Sequence, residues 1–133
     1  GNECKVFHAR DGYGIRRVLD AGVEVAIISG RKSVAVEKRA AELNIRHVHL
    51  GVKDKPAVLA QLASKLKLDM QAIACVGDDV PDLVCMQQAG LAVAVADAHP
   101  DLDAVADWHT HHGGGLGAVR EVCDLLLTAR SEA

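Results

Sequence analysis

Four short apolar runs divide the chain, each flanked by glycine, aspartate or serine. They are VEVAII (23–28), RHVHL (46–50), QAIACV (71–76) and LAVAVA (91–96). Three of the four are almost continuously apolar, which is typical of strands that are covered on both faces of a parallel sheet. The pattern therefore predicts four strands of such a sheet.

Stretches with helical periodicity lie between and after these runs, at 11–22, 33–44, 56–67 and 116–130. Gly22 is a typical C-terminal cap, Ser33 a typical N-terminal cap, and Pro56 suits the first turn of a helix. Because strands and helices alternate, we expect a doubly wound α/β fold with a mostly parallel, Rossmann-like sheet. With 133 residues, we expect a single domain over 1–133.

Composition narrows the classes of function. The net charge of -3 and scattered Lys and Arg residues provide no basic face, so we expect no nucleic-acid partner. No stretch is long and apolar enough to span a membrane. Four well-separated cysteines without a C-x-x-C pair indicate reduced thiols and a cytoplasmic location: Cys4, Cys75, Cys85 and Cys123.

Polar side chains follow the predicted strands, in the loops SGR (29–31), GVKDK (51–55), GDDVPD (77–82) and DAHP (97–100). In a doubly wound sheet these loops meet at one edge, where ligands bind. A hydroxyl and an ammonium suit a phosphate group, and carboxylates suit Mg²⁺, which prefers hard oxygen ligands. The loops together predict phosphoryl-transfer chemistry with Mg²⁺ as the cofactor.

The order IISGR, Lys55, VGDDVPD resembles motifs two, three and four of the haloacid dehalogenase superfamily. RDGYGI (10–15), AVADAHP (94–100) and GGGLGAVREVCDLLL (113–127) resemble its capless branch, the 3-deoxy-D-manno-octulosonate 8-phosphate phosphatase family. The resemblance implies a Mg²⁺-dependent phosphatase that acts on a sugar-acid phosphate. It also implies a homotetramer with a flap hairpin, of which residues 2–9 would form one arm.

The resemblance also implies roles for individual residues. Ser29 and Lys55 would be catalytic: Ser29 would bind the transferring phosphoryl group, and Lys55 would neutralise its charge. Asp78 would ligate Mg²⁺ directly, with Asp79 and Asp82 in its outer shell or on the loop. Three further residues would bind the substrate: Gly30, Arg31 and Arg10.

One element of the family pattern does not appear. The superfamily attacks phosphate with the first aspartate of a D-x-D motif at the end of its first strand, and that strand would lie between those ending at Ser29 and Asp78. The only similar stretch here, DLD (101–103), follows a proline in a predicted helix. We therefore expect that the chain is N-terminally incomplete and that the 133 residues alone are inactive.

Alternative interpretations of each motif remain open. GDDVPD is also typical of a solvated loop that caps a helix, and Ser29 is also typical of a turn. Lys55 could equally be a surface lysine. Arg10 and Asp11 are also typical of the start of a helix, and GGGLG (113–117) of a flexible turn. The histidines, including HTHH (109–112), lack partners for zinc. For the whole chain, the alternatives are a non-catalytic phosphatase-like oligomerisation module and, less favoured, a receiver-like phospho-acceptor domain.

Overall fold

The computed structural model describes residues 9–113 and 117–132, with the side chains of 9–11 and 130–132 excepted. The flap arm predicted at residues 2–9 falls almost entirely outside this part. The α-helices are α1 (Ala9–Asp20), α2 (Val34–Glu42), α3 (Lys55–Lys65), α4 (Leu83–Gln88) and α5 (Ala118–Glu132). Short 3₁₀ helices lie at Met70–Ala72, Val80–Asp82 and Pro100–Ala104.

The strands are β1 (Ala26–Ile28), β2 (His47–His49), β3 (Ala74–Gly77), β4 (Leu91–Ala94) and β5 (Trp108–His109). They form two parallel groups, β1-β2 and β3-β4-β5. Alternating strands and helices with parallel pairing confirm the predicted α/β class. Within the described residues no strand joins β1 to β3, and the expectation that a further strand belongs between them stays a prediction.

Local sequence explains where the helices begin. The side chain of Ser33 accepts a hydrogen bond from the N–H of Val36, and that of Asp54 accepts one from Ala57, so each satisfies a backbone donor in the first helical turn. Pro56 lies in the first turn of α3, as predicted. These caps fix the points at which the loops after β1 and β2 turn back into helices.

Among the described residues, aliphatic side chains form two buried clusters beside other core residues. One comprises Met86, Ala92, Ala94 and Leu102 around β4, and the other comprises Ala40, Leu43 and Ile45 behind β2. α1 packs against α5, where Val122 and Cys123 are buried. The three described cysteines do not form disulfide bonds with one another. No helix in the described ranges has the length and apolar character needed to cross a bilayer.

Several elements differ from the sequence-based prediction. The strands are shorter than the apolar runs, and α4 and β5 were not predicted. α4 has six residues between Pro81 and Gly90, which is too short to show a helical period. β5 has two residues, and it is a strand only because it pairs with β4.

Candidate active site

Lys55 and Asp82 form an ion pair at the carboxyl edge of the strands. Lys55 is the first residue of α3, and its Nζ donates to Oδ1 of Asp82 at 2.8 Å. Both side chains are largely buried, with 17% and 12% of their surface exposed. Because burial weakens the competition from water, this contact is stronger than a surface pair of equal length. Lys55 is therefore held in place rather than free at the surface.

The other oxygen of Asp82 organises the acidic loop after β3. Its Oδ2 accepts the backbone N–H groups of Asp78 at 3.0 Å and Asp79 at 3.3 Å. The carboxylate of Asp79 in turn accepts the N–H of Val80, which caps the 3₁₀ helix at Val80–Asp82. Both oxygens of Asp82 are occupied by Lys55 and the loop backbone. Asp82 therefore fixes the positions of its neighbours and is not itself oriented toward a ligand.

Gly77 makes this arrangement possible. A Cβ atom placed there would lie 2.6 Å from Sδ of Met86 and 2.8 Å from Cβ of Asp82. Such separations are too short for non-bonded carbon and sulfur atoms. The absence of a side chain at Gly77 thus allows α4 and the Asp82 side chain to approach the end of β3.

Two carboxyl groups of the acidic loop, those of Asp78 and Asp82, have pKa values shifted in opposite directions. Burial is the largest cause of the raised pKa of Asp78. The hydrogen bond between Asp78 and Asp82 and the negative charge of Asp82 raise that pKa further. Burial alone would also raise the pKa of Asp82, but hydrogen bonds from Lys55 and from the N–H of Asp78, with the charge of Lys55, hold that pKa below its ordinary value. Lys55 and the loop backbone thus stabilise the charge of Asp82, whereas burial and the neighbouring Asp82 disfavour the charge of Asp78.

A divalent cation fits this donor set. Asp78 is partly covered by protein but still open to solvent, presents hard oxygen atoms and has a raised pKa that a nearby cation would lower. Asp79 is exposed beside it, although one of its oxygens already caps the 3₁₀ helix. In the described ranges no three His, Cys, Asp or Glu side chains group closely enough to hold a metal. Asp78 would therefore be one ligand of a set that these side chains do not complete.

The loop after β1 is joined to the loop that leads to Lys55. The carbonyl of Ser29 accepts the N–H of Val52 at 2.9 Å, and the carbonyl of Arg31 accepts the N–H of Gly51 at 3.2 Å. Oγ of Ser29 accepts the N–H of Arg31 at 3.2 Å. Ser29 therefore caps its own turn, and its hydroxyl proton is still available to donate to a ligand.

The three residues predicted to bind the substrate do not all lie on the same element. Arg31 and Gly30 are exposed on the loop after β1. A Cβ atom at Gly30 would make only an ordinary 3.5 Å contact with the carbonyl oxygen of Val52, so packing there does not demand glycine. Arg10 lies in the first turn of α1, and its side chain is outside the described part. The structure thus places two of the three on the loop bonded to the Lys55 segment.

The sequence places Asp82 in the outer shell of the metal or on the loop, but it does not predict which groups Asp82 contacts. In the structure Asp82 lies on that loop and is the acceptor that connects Lys55 to Asp78 and Asp79. The available signal was its position four residues after Asp78, one helical turn along. DLD (101–103) lies in the 3₁₀ helix at Pro100–Ala104, where Asp103 pairs with His109, and not at a strand end.

Comparison with known proteins gives consistent matches. A family model described as haloacid dehalogenase-like hydrolase matches residues 48–119. The chain is 52% identical over 132 residues to 3-deoxy-D-manno-octulosonate 8-phosphate phosphatase of Salmonella typhi, covering 99% of this chain and 70% of the relative.

Solved structures agree with the sequence matches. The chain is similar to 3-deoxy-D-manno-octulosonate 8-phosphate phosphatase from Yersinia pestis, with a TM-score of 0.94 and 46% identity, over 98% of this chain and 71% of the other. It is also similar to the enzyme of that name from Moraxella catarrhalis in complex with magnesium ion, phosphate ion and KDO, with a TM-score of 0.92 and 42% identity, over 97% and 74%.

Proposed function

The chain belongs to the haloacid dehalogenase-like hydrolases, in the family of 3-deoxy-D-manno-octulosonate 8-phosphate phosphatases, and from this premise we propose that it is a Mg²⁺-dependent phosphatase acting on that substrate or a related sugar-acid phosphate. One observation carries the proposal. Asp82 joins Lys55 to the backbone of Asp78 and Asp79 at the carboxyl edge of the strands. An ammonium and a carboxylate held this close suit a site that binds a phosphate beside a cation.

Each side chain has a proposed task. Lys55 neutralises charge on the phosphoryl group as it transfers, and the hydroxyl of Ser29 donates a hydrogen bond to a phosphoryl oxygen. Gly30, Arg31 and Arg10 contact the substrate. The planar guanidinium of Arg31 matches the carboxylate of an acidic sugar through two parallel hydrogen bonds.

Asp78 is proposed as a ligand of Mg²⁺, with Asp79 beside it. When bound, Mg²⁺ polarises a phosphoryl oxygen and balances its negative charge. The position of Asp78 supports this assignment, because its backbone N–H is fixed by Asp82 beside Lys55 at the end of β3. Asp82 would fix the position of Lys55 relative to the backbone of Asp78.

The nucleophile is the remaining requirement. Family resemblance assigns it to the first aspartate of a D-x-D pair at a strand end, and no strand of the described part ends in such a pair. Ser29 contacts no general base in the described hydrogen bonds, and Lys55 donates to the Asp82 carboxylate as the cation of an ion pair, which is not a nucleophile. We therefore expect the 133 residues to bind Mg²⁺ and phosphate but not to turn over until a D-x-D strand is supplied.

Calorimetric titration of Mg²⁺ into the 133-residue chain tests the metal site. Asp78→Asn keeps the shape of the side chain but removes its charge, so we expect it to abolish measurable binding. Asp20→Asn is the matched control, because Asp20 is exposed and, among the residues that the structure describes, pairs only with Arg16 on the surface of α1. Equal affinity for the unmodified chain and Asp78→Asn would remove Asp78 from the site.

Two further parts of the proposal concern the whole protein. We propose a homotetramer, on family resemblance, and a cytoplasmic location, on the reduced cysteines. Light scattering coupled to gel filtration tests the first, and a mass corresponding to a monomer at micromolar concentration would contradict it.

A further inference from the structure

The backbone of Asp78 is held from two sides. Its N–H donates to Oδ2 of Asp82 at 3.0 Å, and its carbonyl accepts the N–H of His99 at 2.9 Å. The first contact belongs to the site already described. The second comes from residues 96–99, the segment that follows β4. The backbone from which the Asp78 carboxylate extends is therefore held in part by this segment.

Thr110 connects the 96–99 segment to the chain after β5. Its side chain is buried, with 4% of the residue exposed. Its Oγ1 accepts the N–H of Ala96 at 3.0 Å and donates to the carbonyl of His112. One hydroxyl thus uses both its acceptor and its donor capacity to bind two loops together.

Glu121 holds the other end of this connection. Its carboxylate accepts the N–H groups of His111 at 2.9 Å and His112 at 2.6 Å, and it also contacts Nδ1 of His112. The side chain is only 16% exposed. Neighbouring residues Ala118, Val122 and Cys123 already bury the inner face of α5. The carboxylate of Glu121 is therefore directed at the loop and is not needed to dock its own helix.

We propose that Thr110 and Glu121 are positioning residues that hold the 96–99 segment against Asp78 and thereby fix the acidic loop for its ligand. The hydrogen bonds run from Glu121 to the loop at 111–112, through Thr110 to Ala96, and from His99 to the carbonyl of Asp78. The inference rests on the proposed function only in taking Asp78 as a metal ligand. It adds two residues, 32 and 43 positions along the chain from Asp78, that set the geometry of the site without touching it.

Amide hydrogen exchange in the metal-free 133-residue chain tests the connection directly. The amide of Ala96 has a second, longer contact with the carbonyl of His112 at 3.4 Å, which Thr110→Val leaves in place. Thr110→Val keeps the shape of the side chain and removes the hydroxyl, so the amides of Ala96 and His99 should exchange up to about fivefold faster, as expected for the loss of one hydrogen bond. Thr110→Ser keeps the hydroxyl and should retain the unmodified rates. Glu121→Gln should accelerate exchange at His111 and His112, with Glu37→Gln on the exposed side of α2 as its control.

The amide of Leu66 donates to Leu62 at the C-terminal end of α3, opposite the end that carries Lys55, and it reports whether a variant has loosened globally. Faster exchange at Ala96 and His99 with Leu66 unchanged supports the proposal. Unchanged exchange at His99 in Thr110→Val overturns it.

Mg²⁺ titration of the same variants supplies the second measurement. Thr110→Val should weaken Mg²⁺ binding about fivefold while Thr110→Ser does not. Equal Mg²⁺ affinity in Thr110→Val and the unmodified chain would overturn the link to the site even if exchange changes. A chain that binds no Mg²⁺ in any form would contradict the proposed function instead, and the exchange rates would then still decide whether Thr110 and Glu121 hold the segment.

Discussion

At the scale of single residues, the site depends on one carboxylate that does not face the ligand. Asp82 accepts from Lys55 with one oxygen and from the backbone of Asp78 and Asp79 with the other. Its pKa is lowered by these contacts despite its burial. Asp82 therefore stays ionised across the neutral range, and it holds the lysine and the acidic loop in a fixed relation.

We expect Asp82→Asn to destabilise the fold by about 1–3 kcal/mol, because it leaves the largely buried ammonium of Lys55 without a charged partner. Lys55→Met should cost a similar amount, since Asp82 then loses its cation. The double variant should cost less than the sum of the two, as contacting residues are coupled. Urea unfolding measures all three, and costs that simply add would show that the two side chains do not interact.

At the scale of elements, the packing of α1 against α5 limits which residues the helices can carry. A Cβ atom at Gly14 would lie 2.9 Å from Cδ and 3.2 Å from Cα of Arg120, and 3.1 Å from Cβ of Cys123. Gly14 thus allows the two helices to approach closely. Tyr13 beside it lies under the guanidinium of Arg120, 4.7 Å from the ring centroid, on the exposed side of the same contact.

Gly14→Ala should destabilise the protein by about 1–3 kcal/mol, because overpacking against the α5 backbone outweighs the better helix propensity of alanine. Gly12→Ala is the matched control on the same helix, since its Cβ would meet mainly the flexible end of Arg39. We expect that variant to be within about 1 kcal/mol of the unmodified protein. Thermal and urea unfolding give the stability of both variants. Equal losses of stability in Gly14→Ala and Gly12→Ala would contradict the close contact between α1 and α5.

The sequence predicted those elements whose local signals are long or strong. Ser33 marks a helix start because its side chain accepts a first-turn N–H, and Pro56 marks one because it has no N–H to leave unsatisfied. The apolar runs mark β1 to β4. β5 could not be predicted, because Trp108 and His109 have no apolar neighbours and become a strand only by pairing with β4. Thr110 and Glu121 were missed for the same reason, since hydrogen bonds between distant segments leave no periodic pattern.

At the scale of the whole molecule, the loops at the carboxyl edge behave as one connected structure. Backbone hydrogen bonds join the loop after β1 to the segment before α3, Lys55 joins that segment to Asp82, and His99 joins Asp78 to the loop after β4. The sequence predicted that these loops meet, because parallel strands end at the same edge. It could not predict their mutual hydrogen bonds, which depend on turns such as the one Ser29 caps.

The most direct test of the account is phosphate release by a chain in which a strand ending in Asp-x-Asp is fused before Gly1. The experiment compares this fused chain with the 133-residue chain. For each, the specificity constants for 3-deoxy-D-manno-octulosonate 8-phosphate and glucose 6-phosphate are determined with and without Mg²⁺. A charged hydrogen bond from Arg31 to the sugar carboxylate should favour the acidic substrate about ten- to hundredfold, and only with Mg²⁺ present. Release by the 133-residue chain alone, release without Mg²⁺, or equal constants for the two substrates would contradict the account.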